Sequence, residues 1–504
     1  MAAPLNQGRT LAIDVGTGSV RAGLVDRTGR ILRIESREHE QIVPQHGWSE
    51  QRPEDWWAGV VAVVRRLLDG MDAEGHGIEA VCICGQMHGT VLLDDDLRPV
   101  RETVPLWNDK RTLALVQVYE RDDPDCRTLA DCANPPTPAW PGFKLQWLRD
   151  NDPPAWRRAR LVLMPKDYVN LRLTGAVATD RTEASCSFLM DPVRNDWSDV
   201  MIARLGLDRA MLPTIRMPHE IVGRITDAAS RETGLPAGLP VLVGGGDYPV
   251  ALIGSGAHRP GLGSDVTGTS CIVTQIVARP ILHPEICNVA VADAAWGAFV
   301  LLESGGDAMR WARRALHENA VSYDTLVARA AEAPAGADGL LFLPYLAGER
   351  LGAYRNARAQ FFGISAGHGL AHLHRAVMEG VAFSVARHLR IMEAASGHPI
   401  ERVIASGGGA KTRLWLEIKA SIYGIPILVP EEAECGVVGC AALALLATGR
   451  AANLDEAVSM TVRHAAEVAP NPAWTERYSR MLEVFDSVYR NSQSQYARLD
   501  ELAG

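Results

Sequence analysis

Only nine of the 504 residues are cysteine, an odd number, and no C-x-x-C pair recurs. That scarcity excludes a disulfide framework or a zinc ribbon as the organising device. Cys82 and Cys84 alternate inside an apolar strand and Cys435 and Cys440 flank a Gly/Val segment, so they read as buried thiols of a reducing compartment. Basic residues do not predominate: 51 Lys and Arg face 60 Asp and Glu, for a formal net charge of −9. With no long basic block either, a nucleic-acid surface is not expected. No uninterrupted apolar run reaches about 18 residues. The opening MAAPLNQGRTLAIDVG lacks a charged segment followed by a long apolar one. The expectation is a soluble cytoplasmic protein with no membrane partner. Two nucleotide signatures are also missing, G-x-x-x-x-G-K-[ST] and G-x-G-x-x-G, which disfavours a P-loop enzyme.

What is present suits a large globular protein: 47% apolar and 22% charged residues, long enough for two or more domains. LAIDVGTGSVRAGLVDRTGRILRIES reads as an antiparallel meander of strands 11–15, 20–25 and 31–34. SEQRPEDWWAGVVAVVRRLL follows as a helix from about Pro53. IEAVCICGQMHGTVLLD is strand, glycine turn, strand, and two further strand-like pieces lie near 161–164 and 172–173. At GLPAGLP (234–240) the composition turns to Gly and Pro and a second set of elements begins. There GLGSDVTGTSCIVTQIVAR repeats the first grammar, with Asp265-Val266-Thr267-Gly268-Thr269-Ser270 echoing Asp14-Val15-Gly16-Thr17. RVIASGGGAKTRLWLEIKASIYGIPILVP reads as strand 403–405, a glycine turn, a helix over about 411–423 and strand 426–429. Near the C-terminus Tyr478, Met481, Leu482, Phe485 and Tyr489 share one helical face, the pattern of a packing helix.

Several turns carry groups suited to chemistry. In the hairpin Asp14–Ser19, Gly16 and Gly18 permit close backbone approach, N–H groups suit phosphate oxygens, and Thr17 and Ser19 add hydroxyls. Asp14 closes a buried strand and could hold Mg²⁺ directly or through water. Taken alone, the segment reads more simply as a turn with an Asx bond. Gly268–Ser270 supplies the same devices, and Gly407–Gly409, with Gly408 and Gly409 nearest the helix, precedes a helix N-terminus. In CGQMHGT and PLWNDKR, the polar Gln86, His88 and Asn108 stand beside Met87 and Trp107, a mixture suited to a polyhydroxylated ligand. VLVGGGDYPV brings Asp247 to a glycine turn, where it is either an ordinary helix cap or a carboxylate aimed into a cleft.

Together these stretches resemble the FGGY family of carbohydrate kinases, most closely its xylulose kinase branch. The resemblance rests on AIDVGTGSVRAGLVD, HGWSEQRPEDWW, CGQMHGTVLLD, LWNDKR, LMPKDYVNLRLTG, VGGGD, VTGTS, FLPYLAGER, SGGGAKTRLW and ECGVVGCAALA, which span nearly the whole chain in the family's order. It implies an α/β fold of two actin-like, ribonuclease-H-like domains flanking a cleft. The expected division is 1–237, mainly sugar-binding, and 238–487, mainly nucleotide-binding, with a last helix at about 488–504 packing back on the first. ATP and Mg²⁺ are implied, with a small sugar as partner and a homodimer as a state common in the family.

The resemblance puts Asp14 and Thr17 near the transferred phosphate and Mg²⁺, with Gly16 and Ser19 of the same hairpin. Gly268 and Thr269 would lie beside the nucleotide phosphates, and Gly306, Gly408, Gly409 and Arg413 along the nucleotide. Gln86, Met87, His88, Trp107, Asn108 and Tyr248 would face the sugar. Asp247 would accept the hydroxyl proton and could also touch the metal. Its free-peptide pKa near ~3.9 makes it a weak base for an alcohol, tolerable where positioning dominates phosphoryl transfer. Two departures stand out. Tyr248 replaces the Asn usual after that Asp, and Leu351-Gly352-Ala353 replaces a small residue and Pro after FLPYLAGER. The implied reaction is phosphorylation of D-xylulose at a terminal hydroxyl. The alternatives are another ketose or polyol, favoured by Tyr248, and a protein-partnered nucleotide switch, against which Gln86–His88 and Asp247 count.

Overall fold

The computed structural model describes residues 8–71, 77–292, 294–303, 305–349, 351 and 355–503. Strand Arg9–Val15 sits at the centre of the first sheet, with Leu11, Ala12, Ile13 and Val15 fully buried. An apolar run of this kind suits a strand covered on both faces. One face carries helix Pro53–Leu68, where Gly59 meets Val20, and the other carries helix Cys435–Ala447, where Gly23 meets Val437. The strand pairs antiparallel with Ser19–Asp26, which pairs antiparallel with Ile31–Glu38, giving the expected meander. On its other side lies Ile78–Gly85, parallel, then Pro240–Leu242, parallel, and Ile221–Arg224, antiparallel.

The second sheet follows the same plan. Leu262–Thr267 takes the central place, Cys271–Val277 and Trp296–Leu302 form its meander, and Arg402–Ser406, Ile427–Pro430 and His464–Val468 extend it parallel, parallel, antiparallel. One extra strand, Cys287–Ala290, widens the edge. The chain is therefore a duplicated unit, as the echo of Asp14–Thr17 in Asp265–Ser270 suggests.

Three expectations need correction. Residues 172–173 lie in helix Pro165–Thr174, not a strand. GLPAGLP is a turn within the first sheet, because Pro240 pairs with Arg224 and Gly245–Gly246 pair with Cys84–Gly85. The division expected at 237/238 therefore comes too early, and the crossover between halves is helix Asp247–Ser255. Residues 488–503 do not return to the first half: they continue helix Pro472–Ala503, where Tyr478, Leu482, Phe485 and Tyr489 pack with Phe383, Trp415 and Ile418. Gln360 also bonds Ser492 and the Tyr496 hydroxyl, and Arg358 pairs with Asp500 at 2.5 Å. Gly352 and Ala353 of the departing loop lie outside the described residues. All nine cysteines are free, and among the described residues no helix is long and apolar enough to cross a membrane.

Helices Asp247–Ser255 and Cys435–Ala447 lie between the two sheets and touch backbone to backbone. A Cβ on Gly254 would stand 1.8 Å from the Cys435 carbonyl oxygen, and one on Gly439 would stand 2.0 Å from that of Val250. One apolar cluster runs from Ala12 and Cys82 through Ile253 and Val437 to Ile276 and Ile404, joining both sheets. Gly254→Ala, with no flexible neighbour to give way, is expected to cost about 1–3 kcal/mol. A urea titration reads this as a lower midpoint, and an unchanged midpoint would mean that the helices do not cross so closely.

Candidate active site

Three strand ends lie side by side and level: Val15 pairs with Gly85, and Gly85 with Gly246. Asp14 precedes the first end and Asp247 follows the third, so the topology delivers both carboxylates to one edge. In α/β sheets the carboxyl ends of parallel strands are where ligands bind. A Cβ on Gly246 would stand 2.7 Å from the Met87 sulfur, so a larger residue there requires the Met87 side chain to move. Gly246 is also the cap of helix Asp247–Ser255, and Asp247 is its first residue, so the bland reading of Asp247 as an ordinary cap does not describe it.

Both carboxylates are perturbed. Burial raises the Asp247 carboxyl to about 7, the negative charge of Asp14 adds to this, and the Tyr248 N–H bonded to Oδ1 at 2.7 Å opposes it. Burial likewise raises Asp14 to about 6, against the pull of Arg21 across the hairpin at 3.4 Å. The expectation of a weak base is therefore revised: a carboxylate poised near neutrality accepts a proton far better than one near 4. Asp14 Oδ1 is buried without a nitrogen or oxygen donor, an opening for a hard cation. Among the described residues no group of three or more His, Cys, Asp or Glu could hold a metal ion. A cation here would draw on these two carboxylates, with its remaining ligands from phosphate oxygens and water, the usual habit of Mg²⁺.

A buried ionic network, not singled out from the sequence, supports this edge. The Gly246 N–H donates to Thr182 Oγ1 at 2.9 Å, Thr182 donates to Asp180, and Asp180 pairs with Lys166 at 2.8 Å, beside Asp167. Glu183, raised well above the carboxylate range by burial and by Asp180, faces the His88 N–H at 3.5 Å. The signal was visible as charged residues in LMPKDY and ATDRTEAS, but only the fold shows that they are buried.

A cavity of about 390 Å³ opens above the two carboxylates, lined among others by Thr17, Met87, His88, Trp107 and Tyr248. His88 has a left-handed backbone (φ 67°), stands edge-on to Trp140 at 5.1 Å, and has its carbonyl held by Lys144 Nζ at 2.9 Å. Lys144 also reaches the Ala139 carbonyl at 2.7 Å, and burial lowers its pKa to about 7. Trp107 Nε1 donates to Thr17 Oγ1 at 3.0 Å. Gln86 and Asn108 are not in the cavity wall. Gln86 instead bonds Gln51 at 2.7 Å, and Gln51 holds the Thr17 carbonyl at 2.6 Å, while Asn108 Oδ1 is buried without a donor. Gly16 and Ser19 close the hairpin through one bond of 3.0 Å.

Across the cavity lies the second hairpin, whose Ser270 shares the lining with Asp14 and Thr17. Three glycine segments converge behind it. Gly306 donates to the Gly268 carbonyl at 2.8 Å, Gly305 and Asp307 donate to that of Thr269, and a Cβ on Gly409 would stand 2.7 Å from Thr267. Gly408 sits in the same short turn, 408–411. Arg310, not singled out from the sequence, donates to Thr269 Oγ1 at 3.1 Å. Arg413, the first residue of the helix that follows the 408–411 turn, is exposed and paired with Glu417 at 2.7 Å. The hairpins differ in chemistry. Asp265, the counterpart of Asp14, is fully buried, and despite that burial Lys419 at 2.8 Å, Thr267 and Tyr423 keep its carboxyl below the usual range. Asp265 is structural, and only Asp14 is open to a ligand.

Comparison with known proteins agrees with the two-unit fold. The N-terminal domain profile of the FGGY family of carbohydrate kinases matches residues 9–254, and its C-terminal domain profile matches 264–448. Xylulose kinase of Bacillus subtilis (strain 168) is 28% identical over 497 residues, covering 96% of this chain and 97% of the relative. Xylulose kinase of Escherichia coli (strain K12) is 31% identical over 452 residues, covering 88% and 91%. The crystal structure of xylulose kinase from Rhodospirillum rubrum superimposes with a TM-score of 0.91 at 28% identity, covering 97% and 100%.

The raised Asp247 carboxyl has a cost that can be measured. The folded state resists ionising this group, so destabilisation sets in above the unfolded pKa near ~3.9 and is complete above about 7. Asp247→Asn is therefore expected to be more stable than wild type at pH 8, by roughly 1–3 kcal/mol. The gain should shrink steadily as pH falls toward 5. Chemical denaturation at several pH values reads the difference, and a pH-independent gap would mean that Asp247 is not held near neutrality.

Proposed function

The chain belongs to the FGGY family of carbohydrate kinases, enzymes acting on small sugars, and from that premise we propose that it transfers the γ-phosphate of ATP to a terminal hydroxyl of D-xylulose. The observation that carries the reading is the meeting of Asp14 and Asp247 at level strand ends, beneath a cavity shared with Thr17, His88 and Ser270. Sugar is held mainly by the first half, against Met87, His88 and Trp107. The polyphosphate lies between the hairpins of Thr17 and Thr269, where N–H groups and hydroxyls are available and Arg310 bonds Thr269. The rest of the nucleotide runs over Gly306 and Gly408–Gly409, the latter followed directly by the helix that Arg413 begins.

Asp247 accepts the proton of the attacking hydroxyl. Its burial keeps the carboxylate basic, and Thr182 and Lys166 fix the turn on which it stands. Asp14, whose Oδ1 has no nitrogen or oxygen donor, is the residue to hold Mg²⁺, with Asp247 in the same cavity lining as its second carboxylate. When bound, the cation supplies charge neutralisation for the transferring phosphoryl group. Positioning and electrostatics account for most of such a transfer. A cytoplasmic location and a homodimer belong to the same reading. Membership in a family of enzymes leaves no role for the protein-partnered switch. A second reading, a different ketose or polyol, is favoured by Tyr248, whose ring forms part of the cavity wall.

ADP release measured against pentuloses, hexuloses and polyols tests the activity, with sugar-stimulated turnover expected and its absence refuting it. Asp247→Asn is expected to lower kcat at least ~100-fold while sugar and ATP still bind. Near-normal turnover in that variant would remove Asp247 from the role of base.

A further inference from the structure

The cavity has two unlike ends. Asp14, Thr17, His88 and Asp247 gather at one, and among the described residues lining the cavity the only carboxylates are Asp14 and Asp247. The other end is one face of the second sheet. Alternate residues of a strand share a face. Ile272 and Thr274 therefore project with their cross-strand partners Leu301 and Phe299, and Cys287 with Val289 beyond them. Among Ile272, Thr274, Val289, Phe299 and Leu301 the one hydroxyl, that of Thr274, is bonded to the Tyr248 hydroxyl. The Tyr248 ring meanwhile lies against Phe299, 5.7 Å between centroids. Thr274 is fully buried, so its hydrogen bond is not shared with water. Tyr248 thus adds an aromatic ring to the cavity wall and turns its hydroxyl to Thr274.

We propose that the preferred substrate is two-ended: a polyhydroxylated head at Asp247 and His88, and a short alkyl tail against Ile272, Val289, Phe299 and Leu301. A hydroxyl placed against Ile272, Val289, Phe299 and Leu301 loses its water partners and finds no polar side chain among these four, whereas an alkyl group there leaves nothing unpaired. The inference rests on the sugar-kinase reading and specifies its substrate class. No group transfer beyond phosphorylation is involved.

Calorimetric binding of D-xylulose and its 1-O-propyl ether, without nucleotide, tests the tail directly. The ether is expected to bind at least ~10-fold more tightly to the wild type, the discrimination that one or two buried methylenes provide. Leu301→Asn should reduce that ratio to less than about 3-fold, on the same scale. Tyr248→Phe, which keeps the ring, should preserve it. Equal affinities, tighter binding of D-xylulose, or no binding of either compound overturns the inference. ADP release with the same compounds separates the two claims: binding with the expected preference but no turnover refutes the kinase reading and leaves the tail pocket standing.

Discussion

Everything in this molecule depends on placing two carboxylates at one buried edge without letting their repulsion open it. Asp14 lies near the end of one strand and Asp247 directly follows another, with only Ile78–Gly85 between them, and the charge of Asp14 makes Asp247 harder to ionise. Such a pair would relax apart on a loop. Here Asp14 is fixed by the hairpin pairing that opposes it to Arg21. Asp247 is fixed by the first turn of a helix whose preceding N–H is bonded to Thr182. Lys166, buried against Asp167 and Asp180, compensates the charge that holds that turn. Stability is spent beneath the cavity to hold a strained pair at its floor, as expected where positioning governs the chemistry.

Duplication explains why two facing hairpins exist, and divergence explains why only one is reactive. Both halves place an Asp before a Gly-Thr turn at the end of the central strand. In the second half Lys419 and Tyr423 satisfy that Asp completely, converting it into a strut for the hairpin tip. In the first half the place of the lysine is taken by a partly exposed arginine at 3.4 Å, a weak partner, and one oxygen is left over. Backbone N–H groups and hydroxyls at the tips remain common to both. One repeated turn thus leaves an Asp open to a ligand on one side and a fully paired Asp on the other.

Much of this was legible in the sequence, for physical reasons. The meander shows as alternating apolar runs with glycine tips, and the helix at Pro53 shows as a proline start before a 3.6-residue period. Residues 172–173 misled because a short Leu-Arg-Leu segment has no period of its own, and helix 165–174 is so buried that no polar face marks it. GLPAGLP misled because Gly and Pro punctuate a turn inside a sheet as readily as a linker between domains. Gln86 and Asn108 share their motifs with Met87, His88 and Trp107, and which neighbour turns toward the cavity is decided by pairing partners dozens of residues away. The pKa of Asp247 could not be read at all, since it depends on burial and on Asp14.

The two interdomain helices determine how such a site can work. Gly254 and Gly439 bring helix backbones into direct contact, leaving no side chains at the crossing to interlock. Helix Asp247–Ser255 begins at the proposed base and ends at this contact, while helix Cys435–Ala447 begins beside Cys84 on the strand flanking Asp14. The contact that joins the two halves and the floor of the cavity thus belong to the same helix, with Asp247 at its start and the Gly254 crossing near its end. A change at the crossing therefore reaches Asp247 through a continuous helix of nine residues and not through a loop.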